Sequence, residues 1–244
     1  MRPLVIAHRG ASGTAPENTL PAFQRAVALG APMIELDVQT TKDGAVVVIH
    51  DWVLDRTTTG SGLVTDRTLA EVRACDAGRW FGPAFAGTLV PTLAEVLALV
   101  PVAINVELKS TGDDRIAGAA LAEVERAGAL DRVVFSSFSY GLLERLRDQS
   151  SRAAIALLWQ MEPIADALAW VQRVGATAVH LRKDAASANA VEQVTQAGLP
   201  VRVWTVNQLE EFDALGAIGV AAVFTDFPER FLLDGTPGAS LPLR

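Results

Sequence analysis

The stretch from Ala103 to Trp159 reads AINVELKSTGDDRIAGAALAEVERAGALDRVVFSSFSYGLLERLRDQSSRAAIALLW. Three short aliphatic runs, at 103–108, 133–138 and 154–159, read as strands. Between them, 115–127 and 141–148 carry Ala, Leu and Ile at helical spacing with charges interleaved, and read as helices. Val133-Val134-Phe135 is apolar on both faces, as a parallel strand covered on both sides must be. Strand and helix in strict alternation imply a parallel sheet with helical crossovers.

The alternation continues outward in both directions. Further strands are expected at 4–7, 33–39, 178–181, 201–206 and 221–225. Further helices are expected at 20–29, 93–99, 163–174, 187–196, 208–215 and 228–233. Eight such units in 244 residues fit an α/β fold of the (β/α)8 TIM-barrel type better than an open, doubly wound sheet. Gly10 and Gly13 lack the third glycine of a dinucleotide-binding turn. Asn18 or Thr19 is placed to cap the first helix, with Pro21 in its first turn. Residues 1–244 read as one barrel domain with one interruption. After the second strand, the turn signal Asp43-Gly44 leads into a strand-like run at 45–50, a short hairpin. Residues 52–91 then show no clear period and read as an insertion on the loop face, either a substrate lid or a plain cover. The Gly/Pro/Ser-rich stretch 235–244 reads as a flexible tail.

Composition narrows the function. Half of the residues are hydrophobic and 20% are charged, which excludes intrinsic disorder. Lys plus Arg total 21 against 28 Asp plus Glu, a net charge of −7. That balance argues against nucleic acid and anionic membranes as partners, while still permitting one small anionic substrate. The single cysteine, Cys75, forms no internal disulfide and fits a reducing compartment. The apolar run at 96–104 is interrupted by Pro101 and far too short to span a membrane. The run at 4–7 is too short for a signal-peptide core. The expectation is a cytoplasmic protein without stable membrane association, a monomer or small homo-oligomer.

Polar residues cluster where such a barrel carries its chemistry, at the C-terminal strand ends. His8-Arg9-Gly10 closes the first strand. Glu35 and Asp37 share one face of the second, with Leu36 opposite, and Glu107 and Lys109 share a face around Leu108. His50-Asp51 closes the extra strand. Each fragment alone has a plainer reading: an exposed edge, an ion pair, a solvated strand end. Together they put three carboxylates, Glu35, Asp37 and Glu107, at neighbouring strand ends, where repulsion would keep at least one protonated. A divalent cation removes that repulsion, and an all-oxygen ligand set favours Mg²⁺ or Ca²⁺. His8 and His50 flank the cluster and suit general acid and base catalysis on a phosphate ester. Arg9 and Lys109 suit the non-bridging phosphate oxygens. Trp204 reads either as an aromatic wall for a small polyol or as barrel core. Glu17 and Asn18 read as braces for His8 or as helix caps. His180, inside a strand, reads as a satisfied barrel-interior residue.

The ordered set His8-Arg9-Gly10, Pro16-Glu17-Asn18-Thr19, Glu35-Leu36-Asp37-Val38, His50-Asp51 and Glu107-Leu108-Lys109 resembles the glycerophosphodiester phosphodiesterase family. So do Asp55-Arg56-Thr57-Thr58, Pro91-Thr92-Leu93, Val203-Trp204-Thr205-Val206-Asn207 and Thr225-Asp226-Phe227-Pro228. The resemblance implies a barrel with a small insertion after its second strand. It implies metal-dependent hydrolysis of glycerophosphodiesters to an alcohol and glycerol 3-phosphate. It assigns Glu35, Asp37 and Glu107 to one divalent cation, His8 and His50 to acid–base catalysis, and Arg9, Lys109 and Trp204 to the substrate. Two other readings share these residues. A phosphodiesterase acting on lysophospholipids would need an apolar groove, for which Trp80, Phe81 and Phe85 are candidates. A non-catalytic phosphodiester-binding barrel would have no use for two acid–base histidines.

Overall fold

The computed structural model describes residues 2–110, 112, 114–161 and 163–232. The chain runs β1 (Leu4–Ala7), α1 (Leu20–Ala28), β2 (Met33–Thr40), β3 (Val46–Val48), α2 (Leu69–Arg73), α3 (Leu93–Leu99), β4 (Ala103–Leu108), α4 (Arg115–Arg126) and β5 (Val133–Ser137). It continues α5 (Tyr140–Gln149), β6 (Ala154–Trp159), α6 (Ile164–Val174), β7 (Ala178–Arg182), α7 (Ala188–Gln196), β8 (Val201–Trp204), α8 (Leu209–Ala217) and β9 (Ala222–Thr225).

The parallel strands close on themselves. Ile6 of β1 pairs with Met33 of β2 on one side and with Phe224 of β9 on the other. Around the ring the neighbours are β1, β9, β8, β7, β6, β5, β4 and β2. This is the (β/α)8 barrel that the alternation predicts. Strand β3 is added outside the ring, antiparallel to β2, with Val38 opposite Val48; it is the expected hairpin, shorter than the 45–50 run.

Strand alternation sorts the core into two layers. Ile34, Leu36, Ile104, Val106, Phe135 and Leu157 point outward and pack on Phe23, Val96, Leu121, Leu143 and Phe212 of the helices. Each such buried side chain contributes about 1.5–3 kcal/mol of transfer free energy. The barrel interior holds Ile6, Met33, Val134, Ala154, Ala156, Ala178, Ala222 and Phe224. Four of these are alanines, which leaves room for two large polar side chains, His180 and Arg202, both fully buried.

Residues 52–91 are built from short pieces that a periodicity argument passes over. They hold α2 and two 3₁₀ turns, Val64–Asp66 and Pro83–Phe85. Helix α2 is too short for its spacing to repeat, but its capping box, Thr68 with Glu71, was readable in the sequence. This segment packs on its own small cluster of Val47, Ile49, Leu54, Val64, Val72, Ala77 and Val90. The expected last helix at 228–233 is replaced, as far as it is described, by a 3₁₀ turn over Pro228–Arg230. Residue 233 and the stretch 235–244 lie outside the described residues. Among the described residues, no helix is long and apolar enough to cross a membrane.

Candidate active site

The first βα loop departs from ordinary backbone geometry at three positions. Arg9 and Asn18 both take φ 57, and Gly10 takes φ 82. A Cβ at Gly10 would also lie 2.6 Å from the carbonyl carbon of Ala22, so only glycine fits between this loop and α1. The reversal aims the Arg9 amide N–H at Glu35, donating to Oε2 at 2.9 Å. The Arg9 guanidinium donates to Glu17 Oε1 at 2.8 Å and lies 3.4 Å from Asp37 Oδ2. Asn18, a residue type that tolerates the left-handed region, donates from Nδ2 to Asp37 Oδ2 at 2.8 Å and accepts the Asp37 N–H at 3.2 Å. It is therefore spent on Asp37 and caps nothing. Thr19 is the N-cap of α1, but its hydroxyl donates to the Pro16 carbonyl instead of accepting a helix N–H.

Strands β2 and β4 place Asp37 directly opposite Glu107. One oxygen each from Glu35, Asp37 and Glu107 lies within 4.8 Å of the others. Burial and the charges of Asp37 and Glu107 push the Glu35 carboxyl up to about 8. Burial and Asp37 also raise Glu107, against the pull of Lys109. Burial acts on Asp37 too, but Lys109 and Arg9 outweigh it and hold that carboxyl well below the usual range. Lys109 donates to Glu107 Oε1 at 2.7 Å and sits 3.4 Å from Asp37 Oδ1. Asp37 Oδ1 is buried and accepts no hydrogen bond among the described residues. Three converging carboxylates, one with a buried oxygen that accepts no hydrogen bond among the described residues, fit a hard divalent cation.

Both histidines are gripped the same way. His8 Nδ1 lies 2.7 Å from Asp226 Oδ1. Asp226 follows β9 and is itself held by Ser12 Oγ at 3.0 Å and Asn207 Nδ2 at 2.7 Å. His50 Nδ1 lies 2.7 Å from Asp51 Oδ1. Arg56 clamps Asp51 at 2.5 and 3.0 Å and reaches both oxygens of Glu17 at 2.8 Å. Gln39 Nε2 meets the carbonyls of Ile49, His50 and Asp51 at 3.0, 3.1 and 2.6 Å, which anchors the segment bearing His50. A carboxylate on Nδ1 fixes the tautomer and leaves Nε2 for chemistry. The His8 Nε2 lies 4.0 Å from Glu35 Oε2.

Burial pushes the His8 imidazole down, but the Asp226 hydrogen bond and the Glu35 charge push it up further, leaving it above its ordinary value. Asp226→Asn removes a negative charge while keeping an acceptor. The His8 pKa is therefore expected to fall in that variant, so that the ring loses its proton at lower pH. Titration of the histidine signals by NMR checks this; a His8 pKa unchanged or raised would refute the assigned role of Asp226.

Of the predicted residues, His8, Arg9, Glu35, His50, Glu107, Lys109 and Trp204 line one cleft, while Asp37, 1% exposed, is not among its lining residues but joins Glu35 and Glu107 in the carboxylate cluster. Trp204 proves to be wall and core at once. It packs on the barrel interior, stands edge-on to Phe138 at 5.6 Å and lines the cleft. Two expectations need correction. Glu17 braces Arg9 and Arg56; the His8 ring is held instead by Asp226, which Ser12 and Asn207 hold in turn. His180 is not satisfied: its Nδ1 is buried without a partner among the described residues. Trp80, Phe81 and Phe85 pack edge-on against one another at 5.5 Å and are not among the residues that line the cleft. Sequence reasoning gave no role to Gln39, Arg56, Asn207 or Asp226. Three of them stand inside the motifs quoted above, which was the available signal.

A sequence model of the glycerophosphoryl diester phosphodiesterase family matches residues 8–230. The chain is 40% identical over 240 residues to a glycerophosphodiester phosphodiesterase of Caldanaerobacter subterraneus subsp. tengcongensis, covering 95% of this chain and 97% of that protein. It is 34% identical to a glycerophosphodiester phosphodiesterase of Bacillus subtilis, over 94% of this chain and 85% of that one. Among solved structures it superimposes with a TM-score of 0.90 and 31% identity on an Oleispira antarctica phosphodiesterase, over 94% and 95% of the two chains. That structure holds the product sn-glycerol-3-phosphate.

Proposed function

The chain belongs to the glycerophosphoryl diester phosphodiesterase family, and on that premise we propose that it hydrolyses glycerophosphodiesters to an alcohol and glycerol 3-phosphate, with His8 and His50 as the acid–base pair. The observation that carries this reading is the shared construction of the two histidines. Each is locked through Nδ1 onto a carboxylate, and both line the cleft that holds the carboxylate cluster. The product bound to the Oleispira antarctica phosphodiesterase supports the choice of glycerol 3-phosphate.

Arg9 and Lys109 bind and orient the non-bridging phosphate oxygens and stabilise charge as it develops. One histidine accepts the proton of the attacking oxygen, and the other donates a proton to the leaving alkoxide. The attacking oxygen is either water or a glycerol hydroxyl of the substrate; in the second case a 1,2-cyclic phosphate forms first and is opened by water. Both routes move one proton onto one imidazole and one proton off the other. Glu35, Asp37 and Glu107 would hold one divalent cation, Mg²⁺ or Ca²⁺, which when bound neutralises phosphate charge and polarises the P–O bond.

The test is a turnover assay. Purified protein with glycerophosphocholine and Mg²⁺ or Ca²⁺ is expected to release glycerol 3-phosphate, read by an enzyme-coupled assay or by ³¹P NMR. No release with either ion overturns the reading. Faster turnover of lysophosphatidylcholine than of glycerophosphocholine would move the substrate class to lysophospholipids.

A further inference from the structure

Below the carboxylates, the same cleft is floored by Asn105 and His180. Asn105 precedes Glu107 by two residues on β4 and so stands one step deeper on the same inward face. His180 comes from β7. Both side chains are almost wholly buried, at 1% and 0% exposure. Neither takes part in the acid–base chemistry, and each has an orphaned polar atom: Asn105 Oδ1 and His180 Nδ1 have no partner among the described residues.

Their partners on the other side define what these orphans are. Arg202 Nη1 lies 3.4 Å from His180 Nε2. A guanidinium only donates, so Nε2 accepts and the ring proton sits on Nδ1. Burial first, and then the Arg202 charge, keep this imidazole neutral by driving its pKa well down. Asn105 Nδ2 donates to Ser136 Oγ at 2.9 Å, which leaves Oδ1 as acceptor. The floor therefore offers one unused donor and one unused acceptor. Leaving such groups buried and unpaired costs about 1–3 kcal/mol each. The walls above them, Phe138, Leu158, Trp204 and Phe224, are apolar, and Trp204 is tied to this place by its indole N–H reaching the His180 carbonyl at 3.4 Å.

One donor and one acceptor, dry-walled, match a single hydroxyl group, which accepts and donates at once. We infer that His180 and Asn105 form a hydroxyl-reading floor that selects phosphodiesters whose retained alcohol is a polyol over those whose retained alcohol ends in a methyl group. This rests on the substrate assignment above, and it names the part of the site that recognises the glycerol moiety.

Binding separates the floor from the reaction. In wild-type protein with Ca²⁺, sn-glycerol 3-phosphate is expected to bind at least ~10-fold more tightly than ethyl phosphate by calorimetry, a factor in the range of one buried hydroxyl contact. In Asn105→Ala and His180→Phe that ratio is expected to fall below ~3-fold. In the wild type, the His180 ring nitrogens are expected to shift in ¹⁵N NMR on adding sn-glycerol 3-phosphate and to stay in place with ethyl phosphate. This readout needs no variant and so survives any failure to fold. A wild type that binds both ligands alike, variants that keep the full ratio, or unmoved His180 nitrogens each overturn the floor. A wild type that discriminates the two ligands but releases no glycerol 3-phosphate from glycerophosphocholine would overturn the hydrolytic function and leave the floor standing.

Discussion

His50→Ala is expected to lower kcat by ~10²–10⁴-fold with the fold intact, and His8→Ala by a similar factor. The His50 side chain is about a third exposed, 31%, and stands beyond the end of β3. Its removal opens no core cavity. Among the described residues its ring bonds to Asp51, which Arg56 continues to hold from the other side. The expected loss is thus in chemistry, not in stability. Initial rates with glycerophosphocholine, read beside a thermal melt, separate the two. The double variant should lose little more than either single one, because groups acting as a pair in one transition state are not additive. Full activity in either single variant would sink the acid–base assignment.

Stripping divalent ions with EDTA is expected to reduce activity by at least ~10²-fold, with Mg²⁺ or Ca²⁺ restoring it. The electrostatics of the cluster add a direction. Glu35 sits at about 8 without an ion because it is buried beside Asp37 and Glu107. At pH 7 it is therefore mostly protonated, and an ion must displace that proton to bind. Ion affinity should rise as pH rises through about 8, and binding should release protons below that pH. Calorimetry at pH 6.5 and 8.5 in buffers of different ionisation enthalpy measures both. Glu35→Gln should reduce the proton release and weaken binding. Undiminished activity in EDTA, or an ion affinity indifferent to pH, would exclude this account.

Much of the cleft is legible in the sequence. Glu35 with Asp37, and Glu107 with Lys109, are two residues apart on strands, and period-two geometry alone puts each pair on one face. His8, Arg9 and His50 sit at strand ends, where a parallel barrel keeps its chemistry. The supports were not readable in the same way. His8 and Asp226 are separated by 218 residues, and Arg56 and Glu17 by 39. No local spacing pairs them; Asp226 meets His8 because β9 closes onto β1. Asn18 looks like a cap in one dimension, yet Asp37 claims both ends of its amide in three.

The sequence by itself determined the strand–helix alternation, the barrel it implies and the types of group at the barrel mouth, because these depend on periods of two and 3.6 residues within single elements. Only the tertiary structure decided which carboxylate steadies which histidine. Only it showed that an interior of alanines makes space for Arg202, which takes one nitrogen of His180 while the other has no hydrogen-bond partner among the described residues. A histidine in the middle of a strand looks the same in sequence whether its ring is satisfied or not, because its partners come from neighbouring strands.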